Sequence, residues 1–196
     1  MSKTAILILA AGESKRMGEP KQLLPYKDSN LLLHSIKQAS DVKYADLFIV
    51  IGAHFTDIFK SIRGQKATIL KNSDWEEGMG SSLRKGIEFI KKKNNYTRVL
   101  ITLGDIPLIT TEHYEELISL SDSSGKRIIL TNYEEISGVP AIFDKSLFNE
   151  LFILSDNQGA KPIIKKYSKE VIEMTSITPY FDVDTQEAYQ KLLKLS

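Results

Sequence analysis

Short, nearly uninterrupted apolar runs alternate along the chain with longer stretches in which apolar residues recur every three or four positions. Residues 5–10, 47–51, 67–70, 99–103 and 127–130 have the first pattern and predict strands buried on both faces, as in a parallel sheet. Between them, 31–40, 56–63, 82–92 and 112–121 have helical periodicity. In the third of these helices Leu83, Ile87 and Ile90 fall on one stripe, and Lys91, Lys92 and Lys93 carry its end into solvent. Past residue 137 the alternation is less regular: a strand at 139–143, short helices at 145–154 and 160–167, a strand at 171–174 and a closing helix at 186–195. The apolar stripe of that last helix, Ala188, Leu192 and Leu195, predicts packing back onto the sheet. The pattern as a whole is α/β, with helices covering a mostly parallel sheet.

Composition narrows the possible functions. A chain of 196 residues without a Gly/Ser or Pro-rich linker or an internal repeat predicts one domain. With 26 basic and 25 acidic residues the net charge is +1, so the broad basic field of a nucleic-acid-binding protein is missing. The absence of cysteine excludes disulfides, zinc thiolate sites, iron–sulfur clusters and a thiol nucleophile. The apolar run at 5–11 is too short for a bilayer and leads into a glycine-containing loop, and no other segment approaches 18 apolar residues. These features predict a cytoplasmic protein that does not contact membrane.

The chemistry concentrates where the first strand ends, in Ala11-Gly12-Glu13-Ser14-Lys15-Arg16-Met17-Gly18-Glu19-Pro20-Lys21. A small-residue turn at the carboxyl edge of a parallel strand is where α/β sheets bind ligands, and Arg16 and Lys21 add the fixed positive charge that a triphosphate requires. The loop is neither a Walker A motif nor Gly-x-Gly-x-x-Gly, and by itself a solvated turn accounts for it equally well. Asp105 follows a buried strand and offers hard oxygens for Mg2+, or shapes the turn before Pro107. Asp184 stands three residues before Glu187, as an N-cap does in a capping box, and Ser81 and Ser82 stand where a helix starting near Leu83 would be capped. His34, His54 and His113 share no metal-ligand or triad spacing and read as surface or helix-packing residues.

The longer string Leu9-Ala10-Ala11-Gly12, Ser14, Arg16-Met17-Gly18 and Pro20-Lys21, followed by Leu23-Leu24-Pro25, resembles the signature of the nucleotidyltransferases that activate sugars, isoprenoid precursors and the molybdenum cofactor. Within that superfamily the chain looks most like the molybdenum cofactor cytidylyltransferases. The downstream segments that carry the resemblance are 72–83, Gly104-Asp105-Ile106-Pro107, Gly138-Val139-Pro140-Ala141-Ile142-Phe143 and Asp182-Val183-Asp184-Thr185. It implies a three-layer, Rossmann-like nucleotidyltransferase fold with a mostly parallel, mixed central sheet. Residues up to about 110 would form the nucleotide-binding half and about 111–196 the acceptor side. Leu9, Ala10, Ala11, Gly12, Arg16 and Lys21 would hold the triphosphate, and Gly78, Ser81 and Ser82 the base, with Trp75 either a packing anchor or a ligand contact. Asp105 and Asp184, with Asp182 the weaker partner, would hold Mg2+, and Gly138 and Pro140 would meet the acceptor. Lys21, Arg16 and Asp105 would carry catalysis.

The donor that the resemblance implies is CTP and the acceptor molybdopterin, with pyrophosphate leaving and a transient contact with a molybdoenzyme or its chaperone as a further implication. One segment departs from the pattern. Where the branch commonly has Gly-Asp-x-Gly-Ala, this chain has Asp156 in place of the glycine and Asn157 in place of the aspartate, which leaves the acceptor open. A molybdenum cofactor guanylyltransferase, a sugar-phosphate nucleotidyltransferase and a non-catalytic nucleotide-binding regulatory domain are the competing readings. Joint retention of Arg16, Lys21, Asp105 and Asp184 argues against the last. A dinucleotide-dependent oxidoreductase would need an acid after the second strand, which Gly52-Ala53-His54 does not supply.

Overall fold

The computed structural model describes residues 3–134, 136–154 and 159–195. Among the described residues, seven of nine strands form one sheet: β1 (Thr4–Leu9), β4 (Ala45–Ile51), β5 (Thr68–Lys71), β6 (Arg98–Leu103), β7 (Ile128–Asn132), β8 (Ser137–Asp144) and β9 (Val171–Thr175), in the order β5-β4-β1-β6-β8-β7-β9. The pairings of β1 with β4 and β6, of β4 with β5 and of β7 with β9 are parallel, whereas β8 runs antiparallel to both neighbours. A connection as short as the one between β7 and β8 can only reverse the chain, and a parallel partner would need a crossover. The sheet is therefore mixed, as expected.

Two apolar clusters explain the layering. Alternate side chains of β1 point to opposite faces. Ala5, Leu7 and Leu9 join the cluster that holds Leu83, Ile87 and Ile90 of α3 (Met79–Lys93), Leu151 of α5 (Phe148–Phe152) and Ile163 of α6 (Lys161–Lys166). Ile6 and Ile8 join the other, with Leu32 and Ile36 of α1 (Leu31–Ser40), Ile58 and Ile62 of α2 (Phe55–Ile62) and Leu117 of α4 (Thr111–Ser124). Helices thus cover both faces in a Rossmann-like arrangement. Among the described residues no helix is long and apolar enough to cross a membrane.

Two features depart from the pattern reading. A small hairpin of β2 (Pro25–Tyr26) and β3 (Ser29–Asn30) follows the first loop, and Asn30 then caps α1 by accepting from Leu33 N at 2.8 Å. The closing helix, α7 (Gln186–Leu195), does not pack on the sheet. Its buried residues are Tyr189 and Leu192, set against Met17, Leu24, Tyr26 and Leu31, while Leu195 is exposed. The Tyr189 hydroxyl donates to Pro25 O at 2.7 Å, which fixes the helix over the hairpin. This correction matters for the site, because it brings the residues just before α7 against the first loop.

Candidate active site

The carboxyl ends of three parallel strands meet at one edge, where Leu9 aligns with Val50 and Leu103. Over that edge lies a cleft of about 940 Å³ lined by the 9–17 loop, Lys21, Asp105, Asp184 and part of the segment before α3. The loop is organised by Gln22, a buried side chain that no sequence pattern singles out. Its amide donates to Ala10 O at 3.2 Å and Gly12 O at 2.9 Å. In a trans peptide the C=O and the following N–H point opposite ways, so these bonds turn the N–H groups of Ala11 and Glu13 away from Gln22. Ser14 Oγ accepts from Lys21 N at 3.2 Å and closes the turn.

Charge converges on Lys21. Its ammonium forms ion pairs with both Asp105 and Asp184, and Asp184 also pairs with Arg16. The backbone sets up this meeting: Val183 N donates to Asp105 O at 3.0 Å, tying the segment before α7 to the end of β6, and the buried Val183 packs beside Met17. Burial disfavours the charge on Lys21, but Asp105 and Asp184 outweigh it and raise its pKa above the ordinary lysine value. Burial also pushes the Asp105 carboxyl up, reinforced by Asp184 and Asp182 and only partly offset by Lys21. For Asp184 the burial effect is the one overcome, by Lys21 and Arg16, and its value is lowered.

Asp105 Oδ1 is buried and has no hydrogen-bond partner among the described residues, an arrangement that costs free energy unless a ligand completes it. Two carboxylates around one cation, one with a free inward oxygen, fit a hard divalent ion. Among the described residues no group of three or more His, Asp or Glu side chains forms a metal cage. An ion here would take two carboxylates and complete its shell from phosphates and water, the usual arrangement for Mg2+.

The opposite wall comes from the segment between β5 and α3. Gly78 caps α3 with φ 104° and ψ −175°, a conformation open only to glycine. The helix therefore starts at Met79, so Ser81 and Ser82 lie within its first turn and are not its caps, which corrects the capping expectation. Ser81 Oγ donates to Gly78 O at 2.8 Å, and Asn72 Nδ2 donates to Ser81 Oγ at 2.8 Å and to Ser82 Oγ at 3.0 Å. Trp75 leans on the turn after β4: a Cβ at Gly52 would fall 2.5 Å from Trp75 Cβ. The capping expectation for Asp184 is corrected too. Thr185 Oγ1 accepts from Ala188 N at 3.2 Å and caps α7, which leaves the Asp184 carboxylate to the cations.

Leu9, Ala10, Ala11, Gly12, Arg16, Lys21, Gly78, Ser82, Asp105 and Asp184 all line the cleft, and Trp75 and Asp182 line it as well. Ser81 does not; it acts on the loop through Gly78. Gly138 and Pro140 lie in β8 outside the lining, where Pro140 O accepts from Thr131 Oγ1 at 2.7 Å. Asp156 and Asn157 lie outside the described residues. His113 is buried and shares a hydrogen bond of 2.9 Å between Nε2 and Thr131 Oγ1; His34 packs edge-on against Tyr26, and His54 precedes α2.

The sequence matches the MobA-like NTP transferase domain over residues 6–171. The chain belongs to this family. The loop, Asp105 and the wall before α3 all lie inside the matched region. It is 23% identical over 190 residues to the molybdenum cofactor cytidylyltransferase of Escherichia coli (strain K12), covering 96% of this chain and 95% of that protein. It is also 28% identical over 198 residues to nicotine blue oxidoreductase of Paenarthrobacter nicotinovorans, covering 95% of each. The fold matches that of Rv0371c from Mycobacterium tuberculosis H37Rv in its complex with manganese, with a TM-score of 0.84 at 23% identity over 100% of both chains. Relatives with such different names resemble this chain over nearly its whole length, so the reaction has to be argued from the cleft.

Proposed function

We propose that the protein transfers CMP from CTP to a phosphate-bearing acceptor, molybdopterin being the favoured one, with release of pyrophosphate. The observation that carries the reading is the convergence of Lys21, Arg16, Asp105 and Asp184 at the open end of the 9–21 loop. Two cations and a half-buried carboxylate pair beside a small-residue loop suit a triphosphate and its metal. Hydride transfer breaks no bond to phosphorus and builds no phosphate charge for such a cluster to neutralise. The similarity to a molybdenum cofactor cytidylyltransferase supports the choice of CTP and molybdopterin.

In this mechanism the acceptor phosphate oxygen attacks the α-phosphorus in line, the bond from phosphorus to the bridging oxygen breaks, and the electron pair leaves with pyrophosphate. Lys21 and Arg16 hold the phosphates and neutralise the charge that builds on them. Asp105 and Asp184 would hold Mg2+, which supplies further neutralisation of the triphosphate. No protein nucleophile or general base takes part, because a phosphate oxygen is already nucleophilic. The Trp75–Ser82 wall takes the base, and Gly138 and Pro140 serve the acceptor from the half of a single domain that follows residue 110.

A pyrophosphate-release assay with each of the four nucleoside triphosphates tests this, with and without Mg2+, using molybdopterin and a panel of sugar phosphates as acceptors. Release that requires CTP, Mg2+ and molybdopterin supports it. Release with GTP or with a sugar phosphate alone would reassign donor or acceptor. Consumption of a reduced nicotinamide nucleotide with no pyrophosphate under any condition would overturn it.

A further inference from the structure

The hydrogen bonds in the wall before α3 fix the polarity of one hydroxyl in the cleft. Asn72 is buried, and its own N–H donates to Ile51 O at 2.8 Å. Asp74 N, which can only donate, lies 3.0 Å from the Asn72 side chain, so the atom facing it is the carbonyl oxygen. The amide nitrogen therefore faces the serines and spends one hydrogen on Ser81 Oγ and the other on Ser82 Oγ. Ser81 passes its own hydrogen to Gly78 O. The Ser82 hydroxyl accepts from Asn72, and its proton has no acceptor among the described residues. Ser82 lines the cleft.

We propose that Asn72 is a positioning residue for base selection, holding Ser82 as a hydrogen-bond donor toward the cleft so that the wall selects bases presenting an acceptor there. This rests on the reading that the wall takes the nucleotide base. A pyrimidine offers a 2-oxo oxygen, whereas the 2-amino group of guanine would set a donor against a donor. Cytosine and uracil share the 2-oxo group, so this device separates pyrimidines from guanine and leaves the choice between the two pyrimidines to other contacts. A buried polar hydrogen left without a partner is costly, and this is what gives the discrimination its strength.

The test compares binding of CTP, GTP and inorganic triphosphate by calorimetry in the wild type, Asn72→Asp, Asn72→Ala, Ser82→Ala and the Asn72→Asp/Ser82→Ala double variant. The affinity for CTP divided by that for inorganic triphosphate cancels any general change in phosphate binding, including the repulsion from an added carboxylate. Asn72→Asp offers Ser82 an acceptor inside the wall and turns its lone pairs to the cleft. The ratio should fall about tenfold, the scale of one hydrogen bond. Asn72→Ala leaves Ser82 free to donate and should lose only about threefold, even if its melting temperature drops more. Ser82→Ala should match Asn72→Asp, and the double variant should lose no more than either single one. Additive losses, an unchanged ratio in Asn72→Asp, or a larger loss in Asn72→Ala would overturn the proposal. Should Asn72→Asp fail to fold, an unchanged ratio in Ser82→Ala would overturn it alone. A wild type that binds CTP no better than inorganic triphosphate would instead remove the base wall itself, and the inference with it.

Discussion

Replacing Lys21 by Met keeps the length and apolar stem of the side chain and removes only its ammonium. In the native protein that ammonium pairs with Asp105 and Asp184, and its side chain is 13% exposed against 18% for Asp105. Deleting one member of a buried pair costs about 3–5 kcal/mol, because the partner charge stays buried alone. Asp184 keeps Arg16 and has more water around it, so the loss falls on Asp105, whose Oδ1 already lacks a partner among the described residues. The low end applies, about 3 kcal/mol, or roughly 6–12 °C in melting temperature for a chain of this size. Turnover should fall further, by roughly two to three orders of magnitude, since in the proposed mechanism the same group neutralises charge on the phosphates.

The two effects separate when a divalent cation is added. With Lys21 gone, the Asp105–Asp184 pair is open to Mg2+ or Mn2+, and an ion at about 100 times its dissociation constant would restore about 2.7 kcal/mol. The wild type, whose own ammonium sits between those carboxylates, should gain less. The assays are thermal unfolding with and without metal, and pyrophosphate release. Turnover within threefold of wild type would sink the catalytic role of Lys21. Equal metal stabilisation of both proteins would refute the account of Lys21 and the metal sharing one place.

Gln22→Ala removes the clamp on the Ala10 and Gly12 carbonyls and should weaken CTP binding about tenfold with a stability loss near 1 kcal/mol; equal binding in a titration would refute the clamp. Gly52→Ala drives a methyl into Trp75 and should cost about 2 kcal/mol while shifting the emission of the only tryptophan, and an unaltered spectrum would show that the contact does not constrain it. His113 titrates at about 4 in place of 6.5 because burial disfavours its charge. Below 6.5 the unfolded chain takes up a proton that the folded chain refuses, so stability declines as pH falls toward 4, by about 2 kcal/mol after allowing for solvent screening. His113→Gln should flatten that part of a denaturant-midpoint profile, and an identical slope would refute the assignment.

The central strands were legible because both faces of each are buried, which leaves a continuous apolar run that no surface element imitates. The start of α3 was not, because Gly78-Met79-Gly80 reads as loop by propensity, and only the φ of 104° at Gly78 reveals a helix beginning there. Gln22 and Asn72 were silent for another reason: a neutral amide carries no pattern, and its value lies wholly in which backbone groups and hydroxyls it meets after folding. The α7 stripe was misplaced because its periodicity identifies a buried face without naming the partner, and the partner is the hairpin following the first loop.

Asp184 and Thr185 show the same limit at the site itself. Either residue has a side chain able to cap a helix, and sequence spacing favoured the aspartate. The helix needs one acceptor at its first turn, and a neutral hydroxyl supplies it as well as a carboxylate does. The cluster of Lys21 and Arg16 needs a negative charge, which the hydroxyl cannot supply. Once the chain places Arg16 against a residue 168 positions away, only one division of labour satisfies both demands: Thr185 caps and Asp184 pairs. Exchanging the two, as Asp184→Thr with Thr185→Asp, should therefore keep α7 capped but leave Lys21 and Arg16 without Asp184. The exchanged protein should melt within a few degrees of wild type yet lose metal-dependent turnover. Retained turnover would mean that the carboxylate at 184 has no part in holding the metal.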